Sequence, residues 1–483
     1  MKIAADPVNP DSWGRDDGPY REITHAGVLF PAGVRSLALA CVTGLILISQ
    51  PVRAASLDPP TFIVEPVDES AALELRKQGL PNAGDATHGM RFVRTLATGH
   101  LLFEASSPGF ASSPALIRSL RDHPWIADVQ VNRLMTASTP VSVRGSARDK
   151  TTDAPSWNHA DTPAGANVAS AWALSRGANT VVAVVDSGIT AHPDLEGRVL
   201  PGYDFISSWR RGRDGDGRDA DPSDEGLEHC DIGLPRWHGT QVAGLVAARG
   251  GNGETPIGVA PETSILPVRV LGSDGGTTAD IAEAIIWAAG GHVEDVPDNR
   301  TPAQVINLSL GGNWPCDAFT ASAIRIATQL GATVVAAAGN GNLDASMTTP
   351  AGCPGVLTVA ATNRFGARAR YSNFGPAVRL AAPGGNTSPV LTDGIWTTTN
   401  RGCSRREDPT YTWFDGTSAA APHVSGAAAL LRAANPALEP RDVRDMIIDT
   451  ARPLPVACPE GCGSGLLDVA SAVRSAIDEG MNK

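Results

Sequence analysis

Residues 180–186, Thr-Val-Val-Ala-Val-Val-Asp, form an unbroken β-branched and apolar run that ends in a carboxylate. No polar alternation interrupts it, so a strand built from it must be covered on both faces, as in a parallel sheet flanked by helices. Residues 333–340, Thr-Val-Val-Ala-Ala-Ala-Gly-Asn, repeat the pattern and end in an amide. Two such strands commit the chain to an α/β architecture with a mainly parallel central sheet. They also deliver Asp186 and Asn340 toward the carboxyl edge, where open α/β sheets bind their ligands.

Two helices are expected to bring further chemistry to that edge. The stretch His238-Gly-Thr-Gln-Val-Ala-Gly-Leu-Val-Ala-Ala sets Val242, Leu245 and Val246 on one helical face, with His238 at its start. Ser418 opens a second helix whose residues 419–431 are small and apolar, and a helix apolar all round is buried. Pro422 is expected to sit in its first turn, where no intrahelical donor is needed. Singly, each residue has an ordinary structural reading: Asp186 ends a strand, His238 packs in a core, Ser418 caps a helix and Asn340 turns the chain before Gly341. Jointly they supply a hydroxyl nucleophile, an imidazole base, a carboxylate to orient that base and an amide donor for an oxyanion. The Ser418 N–H at a helix N-terminus adds a second donor.

At 483 residues the chain is long enough for a large core plus accessory segments. Abundant Gly and Pro with only 5% aromatic residues fit a loop-rich α/β enzyme better than a coiled coil or a disordered chain. The formal net charge of -12 argues against nucleic acid as a partner. Residues 36–50 are apolar but too short to span a membrane comfortably. The small residues that follow suggest a secretory signal cut near Ala54, giving a secreted protein with no membrane anchor. Asp11, Asp16, Asp17 and Glu22 do not make a basic leader, which points to translation starting near Val28 or Val34. Cys41 leaves with the signal, and it lacks a good lipobox before it. The six that remain, Cys230, Cys316, Cys353, Cys403, Cys458 and Cys462, imply disulfides. Cys316 and Cys353 follow core strands expected side by side, Cys458 and Cys462 suit a small local loop, and Cys230 is left for Cys403.

Residues 1–54 are read as an N-terminal extension and signal, 55–135 as a small α/β unit, 136–155 as a Ser-, Thr- and Pro-rich linker and 156–477 as the large domain. In the small unit, 61–65, 90–94 and 100–104 read as strands, 114–121 as a helix and 126–131 as the final strand. Between Asp186 and His238 lies an insertion with Asp214, Asp216, Asp219, Asp221 and Asp224. Carboxylates this dense repel unless neutralised, and Ca²⁺ takes six to eight oxygens. Arg218 stands where an EF-hand would have its third ligand, and a solvated acidic loop with Arg partners is the alternative.

The motifs Val-Val-Asp186-Ser-Gly, His238-Gly-Thr and Gly416-Thr-Ser-Ala-Ala-Ala-Pro-His423 occur in the order Asp, His, Ser. With them, the region from about Ser156 to Ile477 resembles the subtilisin-like (subtilase) serine peptidases, in particular secreted bacterial ones with extra disulfides and an acidic calcium loop. The resemblance implies the three-layer subtilisin-like fold and a secreted, monomeric serine endopeptidase of broad specificity that works on proteins and peptides through an acyl-enzyme. It implies Asp186, His238 and Ser418 as the catalytic triad and Asn340 as the oxyanion donor. It also implies that Gly275, Gly276 and Thr277 on one side, and Ser309, Leu310 and Gly311 on the other, pair with an extended substrate. Structural Ca²⁺ is implied at Asp214, Asp216, Asp219, Asp221 and Asp224. The unit at 55–135 would be a propeptide that assists folding and blocks the cleft until it is cut within 136–155. The alternative is a catalytically inactive binding protein of the same fold. Three positions depart from the family pattern: Gln241 stands in place of a second His, Asp415 in place of Asn and Ala419 in place of Met.

Overall fold

Four antiparallel strands come first, in the order β2–β3–β1–β4: β1 (Thr61–Pro66), β2 (Arg91–Thr95), β3 (Leu101–Glu104) and β4 (Ile126–Val131). The computed structural model describes residues 58–80, 89–106, 114–138, 156–226, 237–250 and 255–481; the expected signal at 36–54, Cys41, Cys230 and the linker from 139 to 155 lie outside them. The period-2 alternation of the strands sorts their side chains between two cores. Phe62, Val64, Leu101 and Phe103 pack with Leu75 of α1 (Glu69–Gln78) and Leu116 and Leu120 of α2 (Pro114–Arg121). Ile63 and Leu102 point the other way, onto Ala279, Ala282, Ile286, Phe319 and Ala323 of the large domain. The expected final strand is the last of this sheet; β5 (Leu134–Ala137), which follows it, crosses the expected boundary at 135–136 and pairs in another sheet.

The large domain runs α3 (Val168–Ala171), β6 (Val181–Asp186), β7 (Tyr203–Asp204), α4 (Trp209–Gly212), α5 (His238–Ala247), β8 (Ser264–Arg269), β9 (Gly276–Thr277) and α6 (Thr278–Ala288). It continues with β10 (Val305–Leu308), β11 (Leu310–Gly311), α7 (Ala318–Gln329), β12 (Thr333–Ala337), β13 (Leu357–Thr362), β14 (Leu380–Pro383), β15 (Ile395–Asn400) and β16 (Pro409–Phe414). It closes with α8 (Thr417–Ala434), α9 (Pro440–Asp449) and α10 (Val469–Met481). Seven strands form one sheet, β14–β13–β12–β10–β6–β8–β7, with every pairing parallel. Val182 and Val184 of β6 pack under Val242, Leu245 and Val246 of α5 and the small residues of α8. Ala183 and Val185 face Ile281, Ile285 and Trp287 of α6 and Ile324 and Ala327 of α7. Apolar side chains on both faces of β6 thus give three layers, as the unbroken run at 180–186 requires.

Disulfides join Cys316 to Cys353 and Cys458 to Cys462, as expected. Cys403 is also disulfide-bonded, while its expected partner Cys230 lies outside the described residues. One local expectation fails. Pro422 is not in the first turn of α8 but one turn deeper, where its missing N–H leaves the Ser418 carbonyl without the usual i−4 donor. Ser309 Oγ takes that place, donating to Ser418 O at 3.0 Å.

The α8 layer also buries two imidazoles. His423 donates from Nδ1 to Ala419 O at 2.7 Å and accepts at Nε2 from Asn158 Nδ2 at 2.8 Å, so it is neutral. His159 packs against it with both ring nitrogens buried and without partners. Burial brings His423 down to about 4, and burial together with the His423 ring brings His159 down to about 3. The unfolded chain therefore takes up protons below about pH 6.5 that the folded chain refuses, and stability falls as pH drops from there toward 4. The loss is about 1.4 kcal/mol per pH unit for each ring held neutral. Thermal unfolding of His159→Leu between pH 7 and 4.5 is expected to show a shallower acid loss than wild type, with little change at pH 7 because no hydrogen bond is removed. Identical slopes would refute this.

Candidate active site

Asp186, the last residue of β6, is fully buried and accepts from His238 Nδ1 at 2.7 Å. The Ser187 N–H donates to the same Asp186 oxygen, Oδ1, at 2.7 Å. His238 is the first residue of α5 and follows Trp237, whose backbone is left-handed (φ 56°) and whose indole is tied to Gly402 O at 2.7 Å. The Phe414 ring meets the His238 ring edge-on, with centroids 5.5 Å apart. His238 Nε2 is buried without a hydrogen-bond partner.

Ser418 is the second residue of α8, behind Gly416, whose φ of +131° is a conformation that side chains rarely adopt. Its Oγ donates to Ser138 O and lies 3.2 Å from Ser309 O. Asn340, just beyond β12, donates from Nδ2 to the same Ser138 oxygen. The orientation of its amide follows from its other end, since Oδ1 accepts from Thr417 N and Thr417 Oγ1, both at 2.9 Å.

The residues expected on either side of an extended substrate do flank an extended segment, and it belongs to this chain. β5 lies antiparallel between β9 and β11, pairing Leu134 with Thr277, Met135 with Gly276, Thr136 with Gly311 and Ala137 with Leu310. Ser138 N donates to Ser309 O at 2.9 Å. Gly275 packs so closely that a Cβ there would stand 2.3 Å from Met135 O. Backbone pairing therefore carries the Ser138 carbonyl to the point where Ser418 Oγ and Asn340 Nδ2 converge. The sequence reading missed Ser138, Thr417 and Tyr371, whose hydroxyl accepts from Gly416 N at 2.9 Å and donates to Gly384 O and Gly385 O. Only the motif position of Thr417, beside Ser418, could have flagged one of them.

Two of the three departures from the family pattern have hydrogen-bond partners. Gln241 Nε2 donates to Thr399 Oγ1 at 3.2 Å, and Asp415 accepts from Thr387 N and Oγ1 at 2.7 and 2.8 Å. The expected calcium ligands do not assemble. Asp214 pairs with Arg269, Asp219 accepts from Asp221 N and Asp221 from Ser223 N. Asp224 is buried and accepts from Ser187 Oγ and Gly226 N, while Asp216 is exposed beside Asp219. Among the described residues no group of three or more His, Cys, Asp or Glu side chains is set to hold a metal ion. The five carboxylates as a set do not fit one. Arg218 pairs with Asp280 and Glu283 at 2.6 Å, and Arg94 of the small unit joins the same two carboxylates at 3.0 and 2.9 Å.

The Subtilase family model matches residues 177–465, more than half of the chain. This chain is a subtilase. The subtilase is 40% identical over 432 residues to an extracellular protease of Xanthomonas campestris pv. campestris, which covers 87% of this chain and 72% of that protein. It is 44% identical over 319 residues to an extracellular basic protease of Dichelobacter nodosus, covering 63% of this chain and about half, 52%, of that protein's length. A solved protease from Pseudoalteromonas arctica matches with a TM-score of 0.64 at 43% identity, covering 67% of this chain and 97% of that one. Fervidolysin from Fervidobacterium pennivorans shares the fold, with a TM-score of 0.64 at 23% identity over 88% of this chain and 62% of its own. The subtilase is accordingly a subtilisin-like serine protease with the three-layer α/β fold. No described helix is long and apolar enough to cross a membrane.

Proposed function

We propose that this chain is the precursor of a secreted serine endopeptidase that cuts itself at the Ser138–Thr139 bond and is then blocked by its own product strand. The observation that carries this is the Ser138 carbonyl, held between Ser418 Oγ and Asn340 Nδ2 by a strand paired on both sides. Ser418 Oγ attacks the carbonyl carbon while His238 Nε2 takes its proton, and Asp186 keeps the Nδ1 proton in place and stabilises the imidazolium. The oxyanion forms against Asn340 Nδ2 and the Ser418 N–H. His238 then protonates the leaving amine, and water releases the acyl group from Ser418 by the same route in reverse. Recognition through backbone pairing makes sequence choice broad. Triad, amide donor and both flanking strands come from one chain, which suits a monomer. The names of the Xanthomonas and Dichelobacter relatives, together with the apolar stretch before Ala54, support secretion.

N-terminal sequencing of the processed protein should begin at Thr139, and casein hydrolysis should rise only after that cut. A first residue upstream of Leu134, or full activity in uncut protein, would overturn the proposal. Asn340→Ala should lower kcat by about 10²–10³, the loss measured for this donor in subtilisin itself, with KM little changed. A wild-type kcat in steady-state assays of a peptide substrate would remove Asn340 from the site.

A further inference from the structure

The mechanism leaves one buried carboxylate beside the Asp186–His238 pair unused. Asp224 is 5% exposed, and its oxygens accept from Ser187 Oγ at 2.7 Å and from Gly226 N at 2.8 Å. A serine hydroxyl has one proton to give and lone pairs to receive. With its proton committed to Asp224, Ser187 Oγ presents a lone pair to the Gly239 N–H, 3.0 Å away. Gly239 is the residue after His238, in the first turn of α5, where backbone donors lack helical partners. The backbone of Ser187 meanwhile donates to Asp186 Oδ1, the oxygen that holds His238. One residue thus touches both the carboxylate and the helix that carries the imidazole, and Asp224 sets the direction of its hydroxyl.

Tight backbone contacts bring these parts together. Gly188 has φ +94°, and a Cβ there would stand 2.5 Å from Pro222 O and 2.8 Å from Asp224 N. A Cβ on Gly239 would stand 2.2 Å from Gly188 O. The end of β6, the start of α5 and the 222–226 segment are therefore pressed together at a point that excludes side chains. We propose that Asp224 is a positioning residue for the Asp186–His238 pair, acting through Ser187 to fix the start of α5 relative to the end of β6. Burial pushes the Asp224 carboxyl up to about 6, so it is ionised and a full acceptor at pH 8.

This inference rests on the proposed triad. In Asp224→Asn, one of the two amide atoms must face the wrong way. An NH₂ toward Ser187 competes with the hydroxyl proton, and an NH₂ toward Gly226 sets donor against donor. The mature wild type, Asp224→Asn, Ser187→Ala and the double variant are compared at pH 8 on a peptide substrate, with active sites counted by titration. Each single change should lower kcat roughly tenfold while KM stays within about twofold. The double variant should be no slower than the slower single one, because both changes remove the same link. A kcat unchanged in either single variant, a loss carried by KM, or multiplying losses overturns the proposal. Where Asp224→Asn gives no folded protein, Ser187→Ala decides: the tenfold fall supports the link and a wild-type kcat ends it. Ser418→Ala in the same assay separates the two levels, since wild-type hydrolysis by that variant would sink the triad whatever Asp224 does.

Discussion

Ser418→Ala is expected to leave the full-length precursor uncut and to abolish casein hydrolysis. Among the described residues, the Ser418 hydroxyl is the nucleophile hydrogen-bonded at the Ser138 carbonyl, and in the proposed mechanism its proton passes to His238. In a Ser–His–Asp site these groups act as a unit, so losing the serine alone costs about 10⁶ in kcat. What remains, Asn340 Nδ2 at the carbonyl oxygen and the proposed Ser418-position N–H, accelerates attack by water only about 10³–10⁴-fold. The fold should survive. Among the described residues Ser418 Oγ hydrogen-bonds to the Ser138 and Ser309 carbonyls, and the buried small residues of α8 remain. β5 should therefore stay in the cleft of the variant, held by its pairing with β9 and β11. Gel electrophoresis and intact mass should show one uncut species with a near wild-type thermal midpoint, and added wild-type enzyme should cut it in trans. Self-processing with caseinolysis at the wild-type rate would refute the mechanism.

The positions of Asp186, Asn340, His238 and Ser418 were legible because each rests on a local pattern: an unbroken apolar run for the strand ends, helical periodicity after His238 and an all-round small, apolar helix after Ser418. Core strands expected side by side made the Cys316–Cys353 bridge legible, since it needs only that β10 and β12 be neighbours. β5 was not legible. Leu134-Met-Thr-Ala137 has no distinctive pattern, and its partners, Gly276 and Thr277 on one side and Leu310 and Gly311 on the other, lie far along the chain. The depth of Pro422 in α8 was misread because the compensating donor, Ser309, is on another strand. The hydrogen-bond and ion-pair partners of the aspartates were hidden for a related reason. Charge density signals that a neutralising partner is needed, but the sequence does not say whether it is a cation, a guanidinium, a backbone amide or a serine hydroxyl. Here Asp214 found Arg269, Asp219 and Asp221 found backbone N–H groups two residues on, and Asp224 found Ser187.

Arg269→Met should therefore destabilise the protein strongly, by about 3–5 kcal/mol, the usual consequence of removing one partner of a buried ion pair. Arg269 is the last residue of β8, 2% exposed, and its guanidinium donates to Asp204, Asp214 and the Gly212 carbonyl. Asp204 is fully buried, and burial pushes its carboxyl up to about 8 even with Arg269 holding it down, so without Arg269 its charged form has neither solvent nor a counterion. Met fills much of the same volume but offers no donor. The damage should reach the site, because Arg269 lies opposite Asp186 in the β6–β8 register and Val270 N donates to Asp186 O at 2.8 Å. Unfolding is best followed in the Ser418→Ala background, which removes self-digestion. Two further outcomes identify the cause. Adding Asp204→Asn to Arg269→Met should recover part of the loss, since it removes the stranded charge. The deficit should also shrink as pH falls: a buried carboxylate without its partner has its pKa raised in the folded state, so the folded chain takes up the extra proton and gains stability on acidification. A full-size deficit that ignores both pH and Asp204→Asn would assign the loss to packing and leave the ion pair without its stabilising role.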